Sequence, residues 1–135
     1  KSSELKSELR SSAVDNVELR DPVSRGSLVQ YYNDSDILFF CLNDRKAFLK
    51  VLPSKLFEYA ATGKPILAGV DGYAADFIRA NVVGCEIFPP GDVDEMISKL
   101  KVLLDGPRLF DRSDFTDRFS RKKIMRRYAA HLLNA

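Results

Sequence analysis

Apolar residues along this chain come in two arrangements: short unbroken runs, and positions spaced three or four apart. The first predicts strands and the second helix faces. Ser2 to Ser11 is polar apart from Leu5 and Leu9, an i, i+4 pair that predicts a short one-sided helix. Val17 to Leu19 reads as a brief strand closed by Arg20, Asp21 and Pro22, because proline cannot continue a ladder. Ser24 can cap a helix running to Asp34, with Leu28, Tyr31 and Tyr32 on one face. The run from Asp36 to Leu42 suits a strand covered on both faces. After the loop that starts at Asn43, Pro53 and Ser54 open a helix; Gly63 offers a left-handed cap and Pro65 blocks continuation. Pro65 to Val70 is a third strand, followed by an Asp71-Gly72 turn. Tyr73 to Asn81 has helical spacing through Ala74, Phe77 and Ile78. Cys85 to Phe88 is a fourth strand. Asp92 then caps a helix from Val93 to Leu104, with Glu95 completing a capping box and Met96, Ile97, Leu100, Leu103 and Leu104 as its stripe. A last helix is predicted from Phe115 to Leu133, with Ile124, Tyr128 and Leu132 aligned.

Four strands alternating with helices predict an α/β fold: a Rossmann-like, doubly wound parallel sheet flanked by helices. With no repeat and no long linker, residues 1–135 read as one domain. The composition, 45% apolar and 30% charged over 135 residues, excludes collagen, coiled coil and disordered tail. A chain of this length buries roughly two-thirds of its unfolded surface, enough for a core without staples. Cys41 and Cys85 lie in apolar stretches, which predicts core positions and a reducing, cytoplasmic setting. No apolar run approaches a membrane span. The net charge of +2 is too small for an electrostatic nucleic-acid binder, but it is uneven: from Phe115 onward six Lys or Arg face one Asp. The opening Lys1, without an initiator Met or a signal-peptide layout, reads as the start of a fragment.

Ligands of an open parallel sheet bind beyond the carboxyl ends of its strands. The predicted loops there are Arg20 to Ser27, Asn43 to Ser54, Asp71 to Tyr73 and Pro89 to Asp92. The second carries Asp44, Arg45, Lys46 and Lys50 and leads into the helix at Pro53-Ser54-Lys55, whose free amides, hydroxyl and ammonium could seat a diphosphate. The same dipeptide is also an ordinary helix opening. Glu58, one turn on, could accept hydrogen bonds from the vicinal hydroxyls of a ribose, or simply pair with a surface lysine. No metal or nucleophile constellation emerges, and His131 stands alone. Gly-x-Gly-x-x-Gly and Walker patterns are absent. Tyr31, Tyr32, Phe39 and Phe40 follow core periodicity rather than forming a stacking platform for nucleic acid.

Three stretches in order, NVELRDPVSRGSLVQYYNDSDILFFCL, VLPSKLFEYAATGKPILAGVDG and GCEIFPPGDVDEMISKL, make the chain from Asn16 to Leu104 resemble the C-terminal half of a family 4 (group 1) glycosyltransferase of the GT-B fold. The most diagnostic part is Pro53-Ser54-Lys55-Leu56-Phe57-Glu58-Tyr59 with Gly63-Lys64-Pro65, similar to enzymes that assemble bacterial surface polysaccharides. The resemblance implies a donor-binding domain that lacks its first strands and a separate N-terminal acceptor domain. It implies retaining transfer of a sugar from a nucleotide-sugar, without a metal or other cofactor, to a glycan or lipid-linked acceptor. The isolated fragment would be inactive.

By the same resemblance Glu58 matches the second glutamate of the family's Glu, seven residues, Glu motif, which binds the donor ribose. The first falls at Lys50, where the match fails. Val51 and Pro53 replace glycines, while Leu52, Pro53 and Ser54 occupy the stretch whose backbone faces the diphosphate, with Lys55 beside it. Arg20 and Asp21 match the region flanking the nucleotide base. No catalytic residue is identified. Two other functions stay open: a nucleotide-sugar epimerase domain, and a non-catalytic α/β module whose basic residues Lys122, Lys123, Arg126 and Arg127 contact a partner or the inner face of the membrane.

Overall fold

The computed structural model describes residues 2–42 and 52–119. Its elements, in chain order, are α1 (Ser2–Ser11), α2 (Arg25–Asp34), β1 (Leu38–Cys41), α3 (Ser54–Ala61), β2 (Ile66–Gly69), α4 (Gly72–Asn81), β3 (Cys85–Phe88), α5 (Val93–Asp105) and α6 (Ser113–Arg118). The chain forms two compact units, Lys1–Tyr31 and Tyr32–Ala135.

In the first unit α1 forms as the Leu5, Leu9 spacing predicts, with Leu5 itself exposed. Ser24 caps α2, its Oγ accepting the Ser27 amide at 3.3 Å. The strand predicted at Val17–Leu19 does not form: all three residues are exposed and no other strand pairs with them. A β-prone triplet without a neighbour has no ladder to join.

The second unit holds a parallel sheet of three strands, not four, in the order β1-β2-β3. The register aligns Leu38, Ile66 and Cys85 at one end and Cys41, Gly69 and Phe88 at the other. Every residue of β2 is buried. On one face Leu38, Phe40, Ile66 and Ala68 pack with Leu56, Tyr59 and Ala60 of α3, with Ala74, Ala75 and Ile78 of α4, and with Phe115 of α6. On the other face α5 sets Leu103, Met96 and Leu100 against Leu67 and Phe88. Because α5 lies over β2 and β3, the alternate residues of β1 are uncovered: Phe39 is 49% exposed and Cys41 is exposed. Both corrections follow, since β1 is covered on one face only and Cys41 does not fill the core.

Helix ends obey the predicted punctuation. Gly63 takes the left-handed conformation, φ 75°, just beyond α3. Asp92 caps α5 by accepting the Glu95 amide at 3.0 Å. The reciprocal half of the box is missing, because the Asp92 amide bonds Pro89 O instead. Helix α6 closes at Arg118, capped by Phe119; the rest of the predicted terminal helix, including His131, Lys122, Lys123, Arg126 and Arg127, lies outside the described residues.

The sequence held no hint of Arg112. Its side chain is buried and donates to Val83 O at 2.7 Å, Gly84 O at 3.2 Å and Ala60 O at 3.5 Å. Ala60 lies in the last turn of α3, and Val83 and Gly84 follow α4, so one guanidinium ties together the end of the sheet where these helices finish. Carbonyls at helix ends carry partial negative charge, which favours a cation there. Burial lowers the Arg112 pKa, with Cys85 pulling the other way.

Two consequences are measurable. A Cβ at Gly69 would stand 2.5 Å from Cys41 Sγ and 2.7 Å from the Phe88 ring. Gly69→Ala therefore destabilises the chain by about 1–3 kcal/mol, read as a lower urea midpoint with unchanged slope. Burial pushes the Cys85 thiol from 9.0 up to about 12, reinforced by Glu86 and opposed by Arg112. Below about pH 9 folded and unfolded chains both keep that proton; above it the unfolded chain sheds it first, so folding weakens as pH rises toward about 12. Urea unfolding from about pH 9 to about pH 11 should show a steeper loss, by up to about 1.4 kcal/mol per pH unit, than in Cys85→Ala.

Candidate functional site

Parallel strands joined through helices bring the starts of α3, α4 and α5 to one rim, beyond Cys41, Gly69 and Phe88. The three starts differ in how their first amides are satisfied. Asp71 Oδ1 accepts the Gly72 amide at 2.8 Å at the head of α4, and Asp92 occupies the head of α5. Helix α3 begins after Pro53, which has neither an N–H nor a capping side chain. The Leu56 amide bonds Pro53 O at 3.1 Å, while those of Ser54 and Lys55 have no partner among the described residues. Two adjacent donors at the positive end of a helix dipole, with no capping carboxylate among the described residues, form the best place on this rim for an anion.

The core face of α3 is Leu56, Tyr59 and Ala60, so Ser54, Lys55 and Glu58 are left exposed. Four residues of helix place Glu58 about 40° around the axis and about 6 Å along it from Ser54. That spacing suits a ribose joined to a diphosphate through its 5′-methylene. The Glu58 carboxylate is held: the Tyr32 hydroxyl donates to Oε2 at 3.0 Å. Tyr32 in turn meets the Tyr59 ring edge-on, centroids 5.2 Å apart. Burial raises the Tyr59 pKa, and the nearby Glu58 charge adds to the rise. The Lys55 ammonium stands 6.0 Å from the Tyr59 ring centroid, leaning one turn along the helix rather than over its start.

Of the residues singled out in the sequence, Leu52, Pro53, Ser54, Lys55 and Glu58 come together at this helix, Leu52 half-buried against the core. Lys50 lies outside the described residues, as do Asp44, Arg45 and Lys46. Arg20 and Asp21 belong to the first compact unit. With no strand before them, the stretch from Arg20 to Ser27 is not a strand-to-helix loop of the sheet. Arg20 is engaged locally: it pairs with Glu18 at 2.9 Å, donates to the Tyr31 hydroxyl and lies 4.6 Å from that ring's centroid. Its pKa is raised, chiefly by the hydrogen bond to Glu18.

Sequence reasoning counted Tyr32 as a core residue and overlooked its bond to Glu58. The two are 26 residues apart, and only the alignment of Tyr31 and Tyr32 on one helix face hinted that a hydroxyl would be delivered inward. Among the described residues no group of three His, Cys, Asp or Glu could hold a metal, and no helix is long and apolar enough to cross a membrane.

Pyrophosphate titrated into the protein should therefore shift the Ser54 and Lys55 amides in 1H–15N spectra. The Gly72 and Glu95 amides, already taken by aspartates, should stay in place; equal shifts at all three helix heads would refute the selectivity of α3.

Comparison with known proteins adds one match. The family model described as Glycosyl transferases group 1 covers residues 1–106. No curated protein matches the chain. No solved structure matches it.

Proposed function

We propose, from the premise that this chain belongs to the group 1 glycosyl transferases and so serves glycosyl transfer, that it is the part of such an enzyme that binds the nucleotide-sugar donor. The observation that carries the reading is the uncapped start of α3 with Glu58 one turn below it on the same exposed face. Under this reading the Ser54 and Lys55 amides receive the diphosphate, Lys55 adds positive potential, and Leu52 and Pro53 shape the approach. Glu58 accepts from both ribose hydroxyls, which a carboxylate does better than a neutral amide. Lys50, Arg20 and Asp21 are assigned to the donor by family resemblance alone.

The chemistry follows from where charge develops. As the bond between the sugar's anomeric carbon and the phosphate oxygen breaks, its electron pair leaves on the diphosphate. Fixed N–H donors aimed at that group stabilise it more in the transition state than in the ground state. Such transfer would need no bound metal, and by family resemblance it would retain the anomeric configuration. The acceptor, a glycan or a lipid-linked chain of polysaccharide synthesis, would be presented by an N-terminal domain, and closure of the two domains would exclude water. The enzyme would work in the cytoplasm, at the inner membrane face where its acceptor is lipid-linked.

The test is calorimetric titration of the full-length transferase with UDP-, GDP- and ADP-sugars, with and without EDTA. One donor series should bind at micromolar to millimolar concentration, equally with and without chelator. Glu58→Gln should weaken it about tenfold, the order expected for losing a charged hydrogen bond. No binding by any series, or binding indifferent to Glu58→Gln, would overturn the proposal.

A further inference from the structure

Two tyrosines connect the backbone of β1 to the carboxylate on α3. The Tyr59 ring is 6% exposed, and its hydroxyl donates to the Phe39 carbonyl at 3.3 Å. Against that fixed ring the Tyr32 ring stands edge-on, with an interplanar angle of 82°. The Tyr32 hydroxyl then donates to Glu58 Oε2 at 3.0 Å. Glu58 itself is exposed, and an exposed glutamate with three rotatable bonds is otherwise free to sample many rotamers.

We infer that Tyr32 is a positioning residue for donor binding: its hydroxyl holds the Glu58 carboxylate in the orientation that receives the ribose diol. The inference rests on the reading of Glu58 given above. An ionised carboxylate offers about four lone-pair sites. Tyr32 takes one on Oε2, which leaves enough for both hydroxyls of a vicinal diol. Holding the acceptor before the ligand arrives removes an ordering cost from binding, so the hydroxyl acts on affinity without touching the nucleotide. The Tyr59 edge contact and its anchor on Phe39 make the orientation a property of the sheet rather than of a loop.

The experiment compares ligands with and without the diol. The full-length protein is titrated with UDP, GDP and ADP; the tightest of these is then set against its 2′,3′-dideoxy counterpart, in the wild type, Tyr32→Phe, Glu58→Gln and the double variant. Tyr32→Phe keeps the ring and its contact with Tyr59, and thermal unfolding checks that the fold persists. The expected result is a loss of about threefold to tenfold in affinity for the ribonucleotide in Tyr32→Phe. The dideoxy ligand should bind as before, and the double variant should be no weaker than Glu58→Gln alone. A loss in Glu58→Gln with none in Tyr32→Phe overturns the positioning role and leaves the ribose contact standing. Equal losses for both ligands in Tyr32→Phe mean a merely structural tyrosine and also overturn it. No discrimination between the two ligands in Glu58→Gln, or no binding by any of the three diphosphates, overturns the reading of Glu58 and this inference with it.

Discussion

The burial of β2 is the constraint on which the rest of the second unit depends. Its four residues are enclosed on both faces and paired on both edges, so each chain crossing from one strand to the next must pass over a face as a helix. Two such crossings, α3 and α4, share one face, and α5 covers the other. A parallel layer built in this way has no choice about polarity. All three helices start at the same rim, and their positive ends converge there whatever residues occupy the loops.

What the residues decide is which of those ends stays open. Aspartates at 71 and 92 satisfy the heads of α4 and α5 with their own carboxylates, which also places negative charge where an anionic ligand would have to sit. Proline at 53 leaves the head of α3 without such a cap. Specificity among three equivalent positions thus comes from two short acidic side chains and one imino acid. The chain belongs to the group 1 glycosyl transferases, and under the function proposed above this asymmetry would direct the donor's diphosphate to α3.

The elements were legible in the sequence where a local signal decides them. Pro53, Gly63 and Pro65 bracket α3, and Asp92 marks the start of α5; caps and breakers act within a few residues, so spacing reveals them. The features that escaped depend on distant neighbours. An apolar run such as Leu38 to Cys41 says that a strand is buried, but not that α5 would stop short of its second face and leave Phe39 and Cys41 uncovered. Val17 to Leu19 has strand composition without a strand beside it. At the candidate site, Ser54 and Glu58 were visible because one helix carries both. Tyr32 was not, because its hydroxyl reaches Glu58 from 26 residues away in the chain, a pairing no local spacing announces.

Arg112 is a charge enclosed with carbonyl oxygens for company instead of a carboxylate. An arginine keeps its proton, so replacing it by an apolar residue would leave three backbone acceptors at this end of the layer without their donor. One side chain thus couples the last turn of α3 to the Val83-Gly84 turn. The molecule thereby keeps one stiff foundation at the end of the sheet opposite the rim where α3, α4 and α5 begin.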